Sequence, residues 1–322
     1  MVVSKGLARL AGLPHIHFAD QEPQAFAAVK QALTFTDGEY DLVDYARILS
    51  VHLALSKKFC ISINGSFGEL ARGYWWELLV PRTGKPGRLN AAKLARKRYA
   101  LSSCGPSLFR PQIRLELVHH FSAVIEETNA DLLATPNTFQ MDHAYLQMRM
   151  QRWQGRIASS TNQLWPCLSP FMFRSILEVM LQTKNTLRKR SLMVRKMLAQ
   201  FQPRLAEFPL EHGYPALPAS WKNFYRFRPL LRYYAGKVLQ RAGFDQMKGH
   251  APHPARLRLW EEDEVRELLR PQSMRTAALL DPGNLRRFLE KSRHPGPFPD
   301  GEWQRLLSLE YALRTLETTA HF

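Results

Sequence analysis

The spacing of apolar residues in the first 80 positions changes between helical and extended periods. Apolar residues three and four apart predict helices over Val2 to Ala11, Pro23 to Leu33 and Tyr40 to Leu55. Runs of β-favouring residues predict short strands over His15 to Phe18 and Phe59 to Ile63. Helices that alternate with strands and glycine loops are typical of an α/β layer around a parallel sheet.

After Pro81 the apolar spacing is helical throughout, and no strand is predicted. We therefore predict an α/β nucleotide-binding portion over residues 1–80, with an incomplete parallel sheet, and a mainly α-helical portion over residues 81–322. The helices predicted in the second portion are Arg114 to Asn129, Asn137 to Arg152, Pro170 to Gln182, Thr186 to Phe201, Arg256 to Leu269, Pro282 to Lys291 and Gly301 to Leu316.

The chain of 322 residues is basic, with 45 Lys and Arg against 28 Asp and Glu and a formal net charge of +17. Hydrophobic residues make up 45%, which excludes a disordered chain. The segments Arg82 to Arg98, Lys184 to Lys196 and Trp221 to Arg258 contain 22 of the 45 cations and one of the 28 acids. The charge is therefore local, and it indicates an anionic partner for part of the surface.

The segment Trp221 to Arg258 combines nine cations with seven Phe, Tyr and Trp residues. Three interpretations are open: a helical region whose aromatic rings face the core, a surface for a membrane or another partner, and a site for single-stranded nucleic acid. Nucleic acid is the least favoured, because no zinc finger, RNP motif or helix-turn-helix pattern accompanies the charge. The candidate residues for binding an anionic partner are Arg226, Arg228 and Arg232. That partner would be a membrane, contacted peripherally, or an anionic polymer.

Other chemistry is weakly indicated. Cys60, Cys104 and Cys167 form no CxxC pair, so we predict partly buried thiols rather than a disulfide framework or a zinc site. His15 and His17 have no evident third ligand, and no metal site is predicted. The N-terminus lacks the pattern of a signal peptide, and the longest uncharged run, Ile157 to Phe173, is too polar to span a bilayer. These features predict a cytoplasmic protein.

The most informative motif runs from Ile61 to Trp75, where a β-rich run leads into a glycine loop and then a predicted helix. Such loops present backbone N–H groups to phosphate at a helix N-terminus. Gly65 and Gly68 permit positive φ and a close approach of the backbone to a ligand, and Glu69 in the first turn is placed to meet the helix dipole or to face a metal–phosphate group. A tight β–α turn without a ligand would explain the same spacing.

Six further stretches, two before the glycine loop and four after it, contain short motifs that matter through their order along the chain. They are Leu7 to His15, Thr36 to Gly38, Trp153 to Phe173, Leu198 to Pro218, Leu280 to Pro282 and Trp303 to Glu310. Together with the glycine loop, which ends in Arg72-Gly73-Tyr74, they resemble the synthetase domain of asparagine synthase-like enzymes across almost the whole chain. The glycine loop resembles that family's second glycine loop, and Pro170-Phe171-Met172-Phe173 resembles its Pro-Phe-Leu-Asp segment.

The resemblance implies an ATP-pyrophosphatase-type parallel sheet followed by a helical region. It implies an amide-forming ligase that uses ATP and Mg²⁺ to convert a carboxylate to an acyl-adenylate, which an amine or ammonia then attacks. The residues implied to bind nucleotide or pyrophosphate are Asn64, Gly65, Ser66, Gly68 and Glu69, and no catalytic residue is assigned.

The sequence departs from that family in several places. The phosphate loop Ser-Gly-Gly-x-Asp-Ser and the glutaminase domain are absent, Gly68 stands where the family has an acid, and Phe173 or Arg174 stands where it has Asp. One explanation is a fragment that an upstream glutaminase and phosphate-loop portion, or a separate partner chain, completes. The other is a catalytically silent relative that docks on a membrane, an anionic polymer or a protein. A missing first strand would leave apolar surface and unpaired strand edges exposed.

Overall fold

A computed structural model describes residues 2–18, 25–38, 40–99, 108–241, 254–296 and 298–319. Within these residues the protein is mainly helical, with one small parallel sheet. The α-helices are α1 (Val2–Ala11), α2 (Phe26–Thr36), α3 (Leu42–Ser56), α4 (Ala91–Leu94), α5 (Pro111–Thr128), α6 (Asn137–Ala144), α7 (Gly155–Asn162), α8 (Arg174–Gln182), α9 (Asn185–Arg188), α10 (Leu192–Phe201), α11 (Pro203–Glu207), α12 (Arg228–Arg241), α13 (Pro254–Trp260), α14 (Asp263–Leu268), α15 (Pro282–Ser292) and α16 (Asp300–Thr319).

Shorter helical segments connect these helices. Two are π-helical, Ala95–Tyr99 and Tyr145–Gln154, and the second joins α6 to α7. The 3₁₀ segments are Gly68–Arg72, Trp76–Leu79, Ala130–Leu132, Pro170–Met172, Lys189–Ser191, Phe224–Phe227 and Arg275–Leu279.

The chain divides into two compact units, each made of segments distant in sequence. Unit 1 comprises the described parts of Met1–Ala19, Gly68–Tyr74 and Arg174–Lys248, and unit 2 those of Asp20–Phe67, Trp75–Phe173 and Gly249–Phe322. The boundary near residue 80, inferred from the sequence, stays a prediction.

The core of unit 2 is formed by α2 and α3 with the helices of the C-terminal segment. Leu42, Tyr45 and Leu49 of α3 are buried together with Trp303 and Leu307 of α16, as their spacing of three, four or seven residues requires. Buried Glu310 of α16 accepts hydrogen bonds from the backbone N–H groups of Arg275 and Thr276, each at 2.8 Å. The carboxylate thereby caps the 3₁₀ segment Arg275–Leu279.

Unit 1 contains α1 and the helices from α8 to α12. Gly6 allows α1 to lie close to α11, because a Cβ at this position would clash with Cζ of Phe208. The helix predicted over Thr186 to Phe201 is interrupted, since Arg190 and Ser191 adopt positive φ between α9 and α10.

The sheet consists of β1 (Ser62–Ile63) and β2 (Cys167–Leu168), which pair in parallel in unit 2. Ser62 N–H donates to the Pro166 carbonyl at 2.8 Å, and Asn64 N–H donates to the Leu168 carbonyl at 2.9 Å. A parallel pairing is therefore present, over two residues a strand, but the partner of β1 lies outside residues 1–80, where the sheet was predicted. The prediction that no strand follows Pro81 is wrong, because β2 is too short to give a period-two pattern.

The strand predicted at His15 to Phe18 is also wrong. These residues have no regular secondary structure, and His15, Ile16 and His17 are exposed. A strand is stabilised by a hydrogen-bonded neighbour, and these residues pair with no segment that the structure describes. By contrast, the predictions of α1, α3, α5, α15 and α16 are confirmed to within about three residues at each end.

Candidate functional site

The first candidate site is the polar edge at which the two parallel strands end. Asn64 follows β1 and Ser169 follows β2, and Ser169 Oγ donates to Asn64 Oδ1 at 2.9 Å. Asn64 Nδ2 donates to Cys167 Sγ at 3.0 Å, and Ser66 N–H donates to Asn64 Oδ1 at 3.0 Å. The Asn64 side chain thus joins the strand ends and fixes the first turn of the glycine loop.

Gly65 is the open position of this edge. A Cβ built on Gly65 would have no atom within 4 Å, so a ligand can approach its backbone freely. Neither Gly65 nor Gly68 adopts the positive φ that glycine permits, and the left-handed conformation falls instead on buried Phe67, with φ of 74°. The side chain of Phe67 is held in the interior, which fixes its backbone despite the steric cost.

The helix predicted after this loop is a 3₁₀ segment of five residues, Gly68–Arg72. The α-helix predicted after the loop is therefore not formed, and a 3₁₀ segment of this length does not build up the dipole of an α-helix. The nucleotide-binding role of Gly68 and Glu69 stays a prediction. Both residues belong to unit 1, whereas Asn64, Gly65 and Ser66 belong to unit 2. Within unit 1, buried Arg188 donates from Nε and Nη2 to the Leu70 carbonyl, at 2.9 and 2.6 Å.

The sheet exposes apolar side chains on one face. Ile63 and Leu168 are register partners, so their side chains lie on the same side, and both are exposed, Ile63 by 70%. Phe171, Met172 and Phe173, which follow β2, are exposed as well. This is the apolar surface expected of an incomplete parallel sheet, whose two faces are normally covered.

The second candidate site is a cleft in unit 1, which we call the arginine cleft. Its volume is about 410 Å³, and its lining includes all three arginines predicted from the sequence, Arg226, Arg228 and Arg232, together with Tyr225 and Glu207. Arg226 Nη2 donates to the Glu207 carbonyl at 3.0 Å, and its Nη1 lies 4.0 Å from Glu207 Oε2. Arg228 and Arg232 are exposed, and their guanidinium groups have no ion pair with any residue that the structure describes.

A tight turn forms one wall of the arginine cleft. Gly213 N–H donates to the Leu210 carbonyl at 2.8 Å, and Gly213 has a φ of 78°, which glycine adopts without a steric cost. A Cβ on Gly213 would lie 3.3 Å from Cβ of Pro229 at the start of α12, so glycine also permits this close contact. His212 stacks on Tyr233 of α12 with ring centroids 4.2 Å apart, which fixes the turn against the helix.

Residues around the arginine cleft expose large apolar side chains. Trp221 is 99% exposed, and Phe224, Tyr225, Leu231 and Tyr234 are all more than half exposed. The interpretation that the aromatic rings of this segment face the core is wrong for these positions, although Phe227 is buried. Phe244 lies outside the described residues.

A third, polar cleft in unit 2 was not predicted. It has a volume of about 340 Å³ and lies between α5, which contributes Glu127, and the α6–π-helix region, which contributes His143, Gln147, Gln151 and Arg152. His143, Gln147 and Gln151 are four residues apart, and this spacing in a predicted helix was the signal available in the sequence. The cleft is polar, but its lining contains no grouping that identifies a reaction.

The remaining candidates from the sequence are the cysteines, a metal site and a membrane-spanning segment. Cys60 is exposed and Cys167 is buried, while Cys104 lies outside the described residues. Among the residues that the structure describes, no group of three or more His, Cys, Asp or Glu side chains could hold a metal ion. No helix in the described ranges is long and apolar enough to cross a membrane.

Comparisons with known proteins leave the family open. The sequence matches no protein-family model and no curated protein, and no solved structure matches the fold. The resemblance to asparagine synthase-like enzymes therefore rests on the sequence motifs alone.

Proposed function

We propose that the chain is the synthetase portion of an asparagine synthase-like, amide-forming ligase. The proposal assigns the sheet and the glycine loop to an ATP-pyrophosphatase-type fold, in which Asn64, Gly65 and Ser66 lie beside a nucleotide. The observation that carries it is the polar edge formed by Asn64 and Ser169. Ligands of open parallel sheets bind outside the carboxyl ends of the strands, and this is where both residues lie.

The exposed apolar face of the sheet supports the same proposal. A two-stranded sheet is marginal by itself, and parallel sheets are normally covered on both faces. We propose that another polypeptide segment or a separate chain covers Ile63 and Leu168 and supplies the phosphate loop that this sequence lacks. The polar edge would then form part of a larger site.

The proposed reaction has two steps. A carboxylate oxygen of the substrate attacks the α-phosphorus of ATP, so that an acyl-adenylate forms and pyrophosphate leaves. An amine or ammonia then attacks the acyl carbon, forming the amide and releasing AMP. Mg²⁺, when bound with ATP, would offset the charge of the leaving pyrophosphate.

The part that this chain would take in the reaction is to bind and position the nucleotide. The open backbone at Gly65 fits the approach of a phosphate group, and Asn64 holds that backbone in place through Ser66 N–H. The roles of Gly68 and Glu69 stay predictions.

The substitution Gly65→Ala tests the nucleotide site without disturbing the fold. Because φ at Gly65 is not positive and a Cβ there meets no atom within 4 Å, the variant should unfold at the same temperature as the parent. The methyl group would, however, block close approach of a phosphate to the backbone. We expect affinity for ATP, measured by isothermal titration calorimetry, to fall about tenfold, the effect of roughly 1.4 kcal/mol.

A matched control is Gly301→Ala in α16, where a Cβ would make an ordinary contact of 3.5 Å with Arg305 Nη2. This variant should bind ATP as the parent does. If ATP does not bind to the parent, or binds equally to the parent and Gly65→Ala, the proposal is rejected. ATP–pyrophosphate exchange, measured in the presence of a chain that supplies the phosphate loop, is the corresponding test of the reaction.

A further inference from the structure

We propose that residues 221–234 form a docking surface for an anionic lipid bilayer. In this arrangement lipid phosphates bind in the arginine cleft, while the exposed aromatic and aliphatic side chains beside it enter the interfacial layer. We call these residues the docking surface. The inference concerns unit 1 and does not depend on the ligase proposed above.

The first argument is the charge of the docking surface. Residues 221–234 contain four cations, Lys222, Arg226, Arg228 and Arg232, and no acid. Glu207, the acidic residue that lines the arginine cleft, lies against Arg226 and leaves the other two arginines without an ion pair among the described residues. A cleft with this excess of guanidinium groups attracts phosphate, with which arginine forms paired hydrogen bonds.

The second argument is the exposure of apolar side chains at the same place. Trp221 is almost fully exposed, and Phe224, Leu231 and Tyr234 expose more than half of their surface. Tyr225 is exposed to a similar extent, and while single exposed apolar residues are common, five within 14 residues of continuous chain indicate an interaction site. Trp and Tyr beside Arg and Lys are the residues that membrane interfaces favour.

The third argument is the arrangement on α12. Arg228 and Arg232 are four residues apart and both line the arginine cleft, so they lie on one face of the helix. Leu231 is three residues from Arg228, which places it next to that face, and it is exposed. The cationic and aliphatic side chains are therefore adjacent, as they are in helices that lie in the plane of a bilayer interface.

Leu231 also distinguishes a bilayer from single-stranded nucleic acid. Proteins that bind single strands stack bases on aromatic rings, and an exposed leucine offers no such face. A bilayer gains from burying leucine and tryptophan alike, because both remove apolar area from water. The combination of side chains thus favours lipid.

The test is co-sedimentation of the full chain with vesicles of phosphatidylcholine alone and with vesicles containing about 30% phosphatidylserine. We expect binding to the anionic vesicles only, weakened by added salt. The double variant Arg228→Gln/Arg232→Gln should lower the partition coefficient roughly 25-fold, since each arginine near an anionic leaflet contributes about fivefold. Arg226 is left intact because it holds Glu207.

The apolar contribution is tested separately by Trp221→Ala, which should weaken binding on the order of tenfold at unchanged net charge. The matched controls lie elsewhere in unit 1: Arg9→Gln/Lys196→Gln removes the same charge from exposed positions, and Phe201→Ala removes another exposed ring. These controls should bind vesicles nearly as well as the parent.

Three outcomes would overturn the inference. The first is no binding to anionic vesicles. The second is equal losses in the docking-surface variants and in their controls, which would indicate non-specific attraction to a basic protein. The third is binding to oligo(dT) that the same variants weaken while vesicle binding is unaffected, which would assign the surface to nucleic acid.

Discussion

The buried guanidinium of Arg188 has the clearest structural role of any single side chain in unit 1. It is 2% exposed, and both Nε and Nη2 donate to the Leu70 carbonyl. A charged group is tolerated in the interior only where hydrogen bonds compensate its lost hydration. Arg188 therefore stabilises the 3₁₀ segment that follows the glycine loop.

Replacing Arg188 by Met should keep most of the buried volume but remove both hydrogen bonds. The Leu70 carbonyl would lose these donors, and we expect the free energy of unfolding of unit 1 to fall by about 3 kcal/mol. Urea unfolding gives the global value, and hydrogen exchange over residues 68–74 shows whether the loss is local. Arg204→Met, at an exposed position of α11, is the control, and equal losses in the two variants would contradict this role.

At the scale of elements, the residue that caps the N-terminus of α3 also lowers the stability of the protein when it is ionised. Asp41 is the N-cap, and its side chain accepts from the N–H groups of Val43 and Asp44. Burial, followed by the negative charge of Asp44, raises the pKa of Asp41 from its ordinary value of 3.8 to about 6. The nearby Arg305 and the two backbone hydrogen bonds act in the opposite direction but are smaller than the burial effect.

A raised pKa in the folded state means that folding favours protonated Asp41. Its contribution to stability is therefore fully present below about pH 4 and is lost as the pH rises to about 6. In Asp41→Asn the cap remains, because Asn caps helices as well as Asp does. We expect the free energy of unfolding of this variant to exceed that of the parent by up to roughly 3 kcal/mol at pH 7. The parent's loss of stability between about pH 4 and pH 6 should be absent from the variant.

Urea unfolding at several pH values would measure this difference. Asp37→Asn is a suitable control, since Asp37 is exposed and its left-handed backbone suits Asn. A parallel pH dependence in Asp41→Asn and in the parent would show that Asp41 does not titrate with a raised pKa.

At the scale of the molecule, the docking surface and the sheet both expose apolar side chains, but they differ in charge. The docking surface combines these side chains with basic charge, whereas the sheet in unit 2 exposes apolar side chains beside a neutral polar edge. Anionic lipid is therefore expected at the first and a polypeptide at the second. An exposed sheet face is also the type of surface through which copies of a protein associate.

The substitution Ile63→Ser should reduce self-association of the full chain without lowering its melting temperature, because Ile63 is 70% exposed. Sedimentation velocity over a range of protein concentrations would measure the association. Ile16→Ser, an exposed residue of unit 1, should leave it unchanged. Identical behaviour of both variants and the parent would show that the sheet face does not attract polypeptide.

The sequence by itself determined most of the helices, since a helix is stabilised by hydrogen bonds and side-chain contacts within a few residues. It also located the arginines, because the excess of cations over acids between Trp221 and Arg258 is a local property. The sequence predicted a shared anionic-binding surface for Arg226, Arg228 and Arg232, and all three line one cleft. Arg228 and Arg232 are four residues apart in α12, about one helical turn, whereas Arg226 reaches the cleft from the preceding 3₁₀ segment.

Only the tertiary structure decided the features that depend on distant partners. β1 pairs with a strand more than 100 residues away, and two residues are too few to show a period in the sequence. The left-handed backbone fell on Phe67 rather than on a glycine because burial of the ring outweighed the local steric preference. Interactions between residues near in sequence determine where this chain forms helices. Packing between segments far apart in sequence determines which loop, strand edge and cleft are accessible to a ligand.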